Sequence, residues 1–441
     1  MIRRNPSGAR RILLLLACAA LAWLPAAALA VYEVPIYQPG LTKLQVGIPD
    51  FKDLSGGHAD LGGQMRDLLA DDLMLSGYFQ VVDKTLYVEK PGAGLTVGSF
   101  DFADWRVLRA DALVKAGFTV DGGTLTLELR YFDVFGGKQM LGKRYAGKPD
   151  EWNTMVHRFG NEIMLMLTGE PGIFGTRIAF VSDRSGAKEV YTLGINGDGL
   201  TKLTANGTIN LTPHWSPAGA QLAFTSYMAK KPDLYRMPSG GGKATVLSAR
   251  PSLNLGGRWD PTGRVLTATL HQDGGSELFL IGNDGKIVRQ LTHGMGIAVS
   301  ASWSPDGGRM AFVADRSGNP QVYVMGRDGG EARRLTYQGN YNVSPAWSPK
   351  GDKILFQGLE GGTYQVYMTD PEGKQVYRIS DGVGSNEDPS WSPDGRSVVY
   401  ASNRTGRRNL YIMNLDGSYT KRLTSGGWND SSPDWSPRLL K

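Results

Sequence analysis

A six-bladed all-β propeller behind a small α/β domain is the fold this sequence predicts, and three observations predict it. Trp215, Trp259, Trp303, Trp347, Trp391 and Trp435 recur at intervals of 44 residues. Each interval carries two turn signals between short β-rich runs, the pattern of a four-stranded blade. The first half lacks the repeat and alternates helical with strand periodicities. The 441 residues are 41% hydrophobic and 20% charged, an ordinary globular composition. That length exceeds one compact core unless the fold is a repeat or a large ring. The 59 glycines fit many tight turns.

The formal charge of +6 is uneven, because Arg3, Arg4, Arg10 and Arg11 fall in a stretch of thirty residues without an acid. Without them about +2 remains, which argues against a nucleic-acid binder. Five histidines lie far apart and show no zinc-type spacing. Cys18 is the only cysteine, so no intramolecular disulfide is possible. Neither metal nor cofactor is expected.

Residues 1–30 read as a cleaved secretory signal. A basic head precedes the apolar run Ile12 to Leu24, Pro25 ends it, and Ala28-Leu29-Ala30 offers small residues at a cleavage site. The run, about thirteen residues, is short for a membrane anchor. A lipoprotein-type site at Leu16-Ala17-Cys18 would leave a very short apolar core before it. The mature chain then starts at Val31, with no further long apolar run and no cysteine. Export without membrane insertion points to the periplasm or the exterior, and a monomer is expected.

Residues 31–170 form the predicted α/β domain. Leu44 to Phe51 reads as a strand, and Met65, Leu68, Leu69 and Leu73 as a helix face stopped at Gly77. Phe79 to Val82 is a strand, and Asp101 to Arg109 suits a short helix. Ala112 to Val120, Thr124 to Val134 and Lys138 to Tyr145 form a meander, with Leu125, Leu127, Leu129 and Tyr131 on one buried face. The last helix is capped by Asp150, carries the stripe Trp152, Met155, Val156, Phe159 and Ile163, and stops at Gly169. His157 beside that stripe and the pair Asp71-Asp72 read as solvated.

Residues 171–441 hold the repeat. A Pro-Asp-Gly turn follows Trp303 and Trp391, an aromatic column runs through Tyr191, Tyr235, Phe279, Tyr323, Tyr367 and Tyr411, and an aliphatic–hydroxyl pair ends each unit, as at Leu335-Thr336. The first unit lacks a tryptophan strand, and the chain ends on a spare one, Pro433 to Pro437. Six blades result if that terminal strand completes the first, latching the ring. With the tryptophan strand innermost, the arginine turns at Arg184, Arg316 and Arg404 share one face with the loops leading into the tryptophan strands. Five residues before each tryptophan stand Asn210, Asn254, Ala298, Asn342, Asn386 and Asp430. They are predicted to ring the channel mouth, as a partner-binding site or as residues bonding their own backbone. The tryptophans read as blade packing.

Catalytic signals are weak. Gly56-Gly57 and Gly62-Gly63 match neither phosphate-loop spacing. No nucleophile elbow is present, and a propeller-capped peptidase needs a hydrolase domain larger than this first half. No catalytic residue is assigned.

With its secretory signal, small α/β domain and Trp-Ser-Pro-Asp-Gly repeats, the chain resembles the TolB family of periplasmic Tol–Pal proteins of Gram-negative bacteria. The resemblance covers essentially the whole mature chain, to Trp435-Ser436-Pro437. It implies an α/β domain like anticodon-binding folds, an analogy of fold that implies no RNA. It implies a non-enzymatic adaptor whose mouth, with Asn210, Asn254, Asn342, Asn386 and Asp430, docks the peptidoglycan-associated lipoprotein Pal. Some colicins mimic Pal at that mouth. Arg184, Arg316 and Arg404 would add rim contacts, and the tail Val31, Tyr32, Glu33 and Val34 would reach inner-membrane TolA. Such an adaptor supports outer-membrane integrity and constriction at cell division. The alternative from the residues themselves is a propeller module for another peptide, glycan or cation.

Overall fold

The structure is a computed structural model and describes residues 42–439, apart from 91, 273 and 418. The expected signal at 1–30, Cys18 and the tail residues Val31, Tyr32, Glu33 and Val34 lie outside the described residues. Among the described residues no helix is long and apolar enough to cross a membrane.

The α/β region is one mixed sheet with its two long helices on one face and a short helix, through Trp105, against Leu113 and Phe132 on the other. Strands β1 (Leu44–Gly47), β2 (Lys52–Asp53), β3 (Phe79–Val81), β4 (Ala112–Asp121), β5 (Thr124–Asp133) and β6 (Lys138–Gly147) run β3-β1-β4-β5-β6, with β2 against β4. The expected first strand stops at Gly47, and the next N–H, of Ile48, donates to the Tyr87 hydroxyl at 3.0 Å; Trp105 packs over Gly47, where a Cβ would lie 2.4 Å from its ring. Helix α1 (Ala59–Leu75) ends before Gly77, whose φ is +76°. Asp101 caps α2 (Phe102–Val107), its carboxylate accepting the Ala103 N–H at 2.8 Å.

Helix α3 (Trp152–Thr168) departs from expectation at its start. Pro149 opens a 3-10 turn, Pro149–Glu151, that absorbs Asp150, so Asp150 is not the cap. Instead the Glu151 carboxylate accepts the Lys148 N–H at 3.0 Å. The helix stops at Gly169 in the left-handed region, as predicted. Two further readings are overturned. His157 is 6% exposed and Asp72 is 2% exposed, because α3 packs on α1 and brings the two side chains together.

The remainder is six four-stranded antiparallel sheets. The inner strands are Asn210–Trp215, Asn254–Trp259, Ala298–Trp303, Asn342–Trp347, Asn386–Trp391 and Asp430–Trp435. The last of these pairs with Arg177–Ser185, Asp430 opposite Ser182 and Trp435 opposite Ile178, so the C-terminal strand closes the ring as the repeat phase required. We number that closing blade 1, and the blade starting at Asn210 blade 2, through to blade 6 at Asn386. All six tryptophans are buried. Two bond the preceding blade: Trp215 Nε1 donates to the Asp434 carbonyl at 3.1 Å and Trp391 Nε1 to the Ala346 carbonyl at 2.9 Å. In five blades the aromatic column meets a second ring in the neighbouring strand, as Phe356 on Tyr367 at 5.4 Å, while Phe279 faces Ala268.

The α/β core does not end at the ring. Leu69, Phe159, Ile163 and Phe174 share one cluster with Ile178 and Phe180 of blade 1 and Val399 and Ile412 of blade 6. The α/β domain therefore packs on the two blades that meet at the closure.

Candidate functional site

The asparagine column starts every inner strand but lies inside the wall. Asn210, Asn254, Asn386 and Asp430 are 0% exposed and Asn342 is 3% exposed. Their amides cross the blade boundary. Asn210 Nδ2 donates to Glu189 Oε2 at 2.9 Å, Asn254 Nδ2 to Asp233 Oδ1 at 3.3 Å, Asn342 Nδ2 to Gln321 Oε1 at 2.9 Å and Asn386 Nδ2 to Gln365 Oε1 at 3.0 Å. The same acceptor side chains take the hydroxyls of Thr204, Thr336 and Ser380. A relay of hydroxyl, acceptor and amide thus ties one blade's outer strands to the next blade's inner strand. Buried acceptors require donors, and the asparagines supply them. The structure therefore places this column in the blade interfaces rather than on the mouth surface, with its amides engaged within the wall.

The relay departs from this form three times, first at Asn254, where the Ser248 hydroxyl donates to the asparagine oxygen at 2.8 Å rather than to Asp233. At Ala298 there is no amide, and Glu277 instead accepts the Met295 N–H at 3.1 Å. At Asp430 the acid pairs with Arg184 at 2.9 Å. The acceptor column Glu189, Asp233, Glu277, Gln321, Gln365 was missed in the sequence. It stands 21 residues before the asparagines, and that constant spacing was the available signal.

The arginines also fold inward. Arg184 is enclosed by Phe180, Tyr191 and Trp428, with its guanidinium 5.0–5.4 Å from the three rings. Arg404 bonds Asp381, Asn386 and the Tyr400 hydroxyl at 2.8–3.1 Å and stacks on Tyr411. Neither is a free rim cation. Arg316 alone is left exposed, over Tyr323 and against the Met295 sulfur.

The channel itself is lined by the residues that follow the asparagines. A cavity of about 210 Å³ is walled by all six inner strands, including Leu211, Thr212, His214, Leu255, Gly256, Arg258, Val299, Ser300, Ser344, Asp388 and Ser432. Every inner strand bulges at the same place. Thr212, Gly256, Ser300, Ser344, Asp388 and Ser432 all have positive φ, from +46° to +79°, and the ladder to the next strand shifts register there. Five are not glycine, and Thr212, Ser344, Asp388 and Ser432 also precede proline, which disfavours a helical backbone further. A ring of strained backbone held by the blades around a cavity is the geometry found at binding sites.

Two carboxylates stitch this ring. Asp388 accepts the Ser344 hydroxyl at 3.3 Å and the Ser432 N–H at 3.2 Å, joining blades 5, 6 and 1. Asp434 accepts the Trp215 N–H at 2.8 Å, pairs with Arg258 at 3.1 Å and lies 3.3 Å from His214 Nδ1, joining blades 1, 2 and 3. Burial opposes charge on Asp434, but Arg258, His214 and the Trp215 N–H hold its pKa below the ordinary carboxylate value. Burial and the Arg258 charge push the His214 pKa down, so its imidazole is neutral near pH 7. The oxygen facing His214 thus belongs to a carboxylate already engaged by Arg258 and a backbone amide, an arrangement of charge pairing rather than of an activated nucleophile.

Part of the mouth is apolar, although Ser385 and Asn429 hold the same position in two blades. The residues just before the inner strands include Ile209, Ile297 and Tyr341, exposed by 45%, 50% and 36%, and Tyr337 and Val383 in the same loops are also exposed. Exposed apolar and aromatic side chains around a concavity mark association surfaces. The glycine loop of the α/β domain offers no comparable site, because the Asp53 carboxylate already accepts the N–H groups of Ser55, Gly56 and His58.

Comparison with known proteins agrees with this architecture. Residues 165–439 match the family model described as TolB beta propeller domain, and residues 32–140 match the TolB amino-terminal domain. Tol-Pal system protein TolB of Desulfosudis oleivorans is 41% identical over 209 residues, 46% of this chain and 48% of that protein. The protein of the same description from Geobacter metallireducens is 42% identical over 181 residues, 41% and 42% of the two chains. The matched stretches span about half the length of these curated relatives or less. The crystal structure of TolB from Acinetobacter baumannii superimposes with a TM-score of 0.77 at 24% identity, covering 91% of this chain and 98% of that one, which shows a shared fold. Six blades closed by the C-terminal strand, an α/β domain ahead of them and a propeller model spanning more than half the chain together establish that this chain belongs to the TolB family.

Proposed function

We propose that the chain is a non-enzymatic periplasmic adaptor of the Tol–Pal system. Its propeller mouth docks a Pal-like peptidoglycan-associated lipoprotein, and its tail at Val31, Tyr32, Glu33 and Val34 contacts a TolA-like inner-membrane protein. In this role it supports outer-membrane integrity and constriction at division. The printed description of the relatives, Tol-Pal system protein, supports the system. The observation that carries the docking reading is the mouth: a rigid, strained channel ring behind an exposed, partly apolar rim. A rigid ring meets its partner without losing order on binding, which favours affinity. The contact residues in this reading are Ile209, Ile297 and Tyr341 with the channel hydroxyls, in place of the buried asparagine column.

The test is calorimetric binding of residues 31–441 to the periplasmic domain of the same organism's Pal-like lipoprotein. The double variant Ile297→Ser, Tyr341→Ser should weaken binding by about tenfold or more while leaving the thermal midpoint near wild type. Unchanged affinity moves the contact off the rim. No binding by the wild type removes the Pal reading and favours a propeller module for another peptide, glycan or cation.

A further inference from the structure

A second cluster of charge lies far from the mouth, where α1, α3 and the closing blades meet. Helix α1 brings Asp71 and Asp72, and α3 brings Asn153 and His157. Blade 6 brings Tyr419 and Lys421 on its outer edge, and blade 1 brings Asp198 in a turn. His157 Nδ1 lies 2.7 Å from Asp72 Oδ2. Lys421 pairs with Asp71, and the Asn153 amide donates to Asp198. Gly160 on α3 lets the Phe174 ring pack close, since a Cβ there would come within 2.8 Å of it.

Three carboxylates therefore share Lys421, Arg177 of blade 1, which faces Asp198, and one imidazole. Protonating His157 moves the cluster toward neutrality, and deprotonating it leaves an excess of negative charge beneath the domain. We infer that this cluster is a pH-responsive clasp between the α/β domain and the blades that close the ring, tight when His157 is imidazolium and looser when it is neutral.

The electrostatics support that sense. Burial opposes charge on His157, but Asp72, with a further pull from Asp198, outweighs both burial and Lys421 and raises its pKa above the ordinary value of 6.5. Burial raises the Asp72 pKa too, against the pull of His157 and Lys421. Burial, with Asp71 and Asp72, raises the pKa of Tyr419, so it stays neutral. A group whose folded pKa is raised stabilises fully below its unfolded pKa, and that contribution fades as pH rises through the folded value. Both members of the pair therefore weaken the clasp in the same direction, His157 doing so from about pH 6.5 upward.

Hydrogen–deuterium exchange of the full mature chain from pH 5.5 to 8, corrected for intrinsic exchange, tests it. Peptides covering 69–77, 192–199 and 419–424 should lose protection by about fivefold over that range, against a blade 4 reference at 309–314 that stays constant. His157→Gln should remove the difference. A difference that persists in His157→Gln, or that is equally large in blade 4, overturns the clasp. Should that variant not fold, ¹⁵N-histidine titration of the wild type decides: one imidazole midpoint above the ordinary value is expected, and none above it overturns the proposal.

Discussion

Asn342 donates to Gln321 across the boundary between blades 4 and 5, and Gln321 also takes the Thr336 hydroxyl. Both amide side chains are almost fully buried. Removing Asn342 leaves the buried Gln321 oxygen with only the Thr336 hydroxyl and strips the Gln338 carbonyl of the asparagine amide. Asn342→Ala should therefore destabilise the protein by about 1–3 kcal/mol in denaturant unfolding. Its folded fraction should still bind whatever occupies the mouth, since the side chain does not reach the channel. A loss of binding at unchanged stability would return the column to the surface role. The position of this residue was legible in the sequence, as a column five residues before each tryptophan. Its turn role was legible too, since Asn342 Nδ2 also donates to the Gln338 carbonyl of its own loop at 2.7 Å, but the bond across the blade boundary was not, because Asn favours backbone bonding, ligand contact and buried amide exchange alike. Only the acceptor 21 residues upstream separates these, and the acceptor column mixes Glu, Asp and Gln, which hides it from any search for one residue type. His157 was misread for a related reason. Helical periodicity places it beside the apolar stripe, and nothing local in the sequence reveals the Asp72 partner 85 residues away.

The inner strand of blade 1, Asp430–Trp435, is the element on which the ring depends. It is the last strand of the chain, yet it pairs with the first propeller strand. Trp435 Nε1 donates to the Thr176 hydroxyl at 2.8 Å, and its ring joins the core shared with the α/β domain. Trp303 is as buried, but its Nε1 has no partner among the described residues and its cluster lies within the neighbouring blades. Truncating a large buried aromatic costs about 3–5 kcal/mol. Trp435→Ala should fall at the upper end of that range or beyond it and lower the unfolding cooperativity, whereas Trp303→Ala should cost less and leave cooperativity intact. Chemical denaturation with intrinsic fluorescence and far-UV dichroism compares the two. Equal costs would mean that closure adds nothing to the strand. This element was fully legible: the phase of the repeat left one strand over at the end and one missing at the start. The bulge inside each inner strand was not. Its residues, Thr, Gly, Ser, Ser, Asp and Ser, share small size but no single identity, and positive φ at a hydroxyl residue leaves no mark in periodicity.

At the scale of the molecule the α/β domain and the ring behave as one body. Their apolar residues form a continuous core through blades 1 and 6, and the contact sits over the closure rather than over an arbitrary blade. Ser397 Oγ donates to the Leu75 carbonyl at 3.3 Å, Arg396 stacks 4.2 Å over Tyr78, and Lys43 pairs with Asp416 at 3.3 Å, all on blade 6. Arg438, just past the closing strand, reaches back to the Gly172 carbonyl. None of this was legible in the sequence, because interdomain apolar residues look like any core residue and the repeat carries no record of which blade is covered. A ring closed by strand pairing is weakest at its seam, where two chain ends must meet. Covering that seam with a domain restrains it from outside, while Asp388 and Asp434 restrain it from within the channel. Residues 31–441 should therefore unfold in a single calorimetric transition. The excised propeller, 171–441, should melt several degrees lower, because separation exposes Ile178, Phe180, Val399 and Ile412 to water and removes the seam's cover. Exchange in that fragment should begin at blades 1 and 6 and reach blades 3 and 4 last. A fragment that melts at the intact temperature, with uniform exchange around the ring, would show that strand pairing alone holds the seam and that the α/β domain serves only the tail it carries.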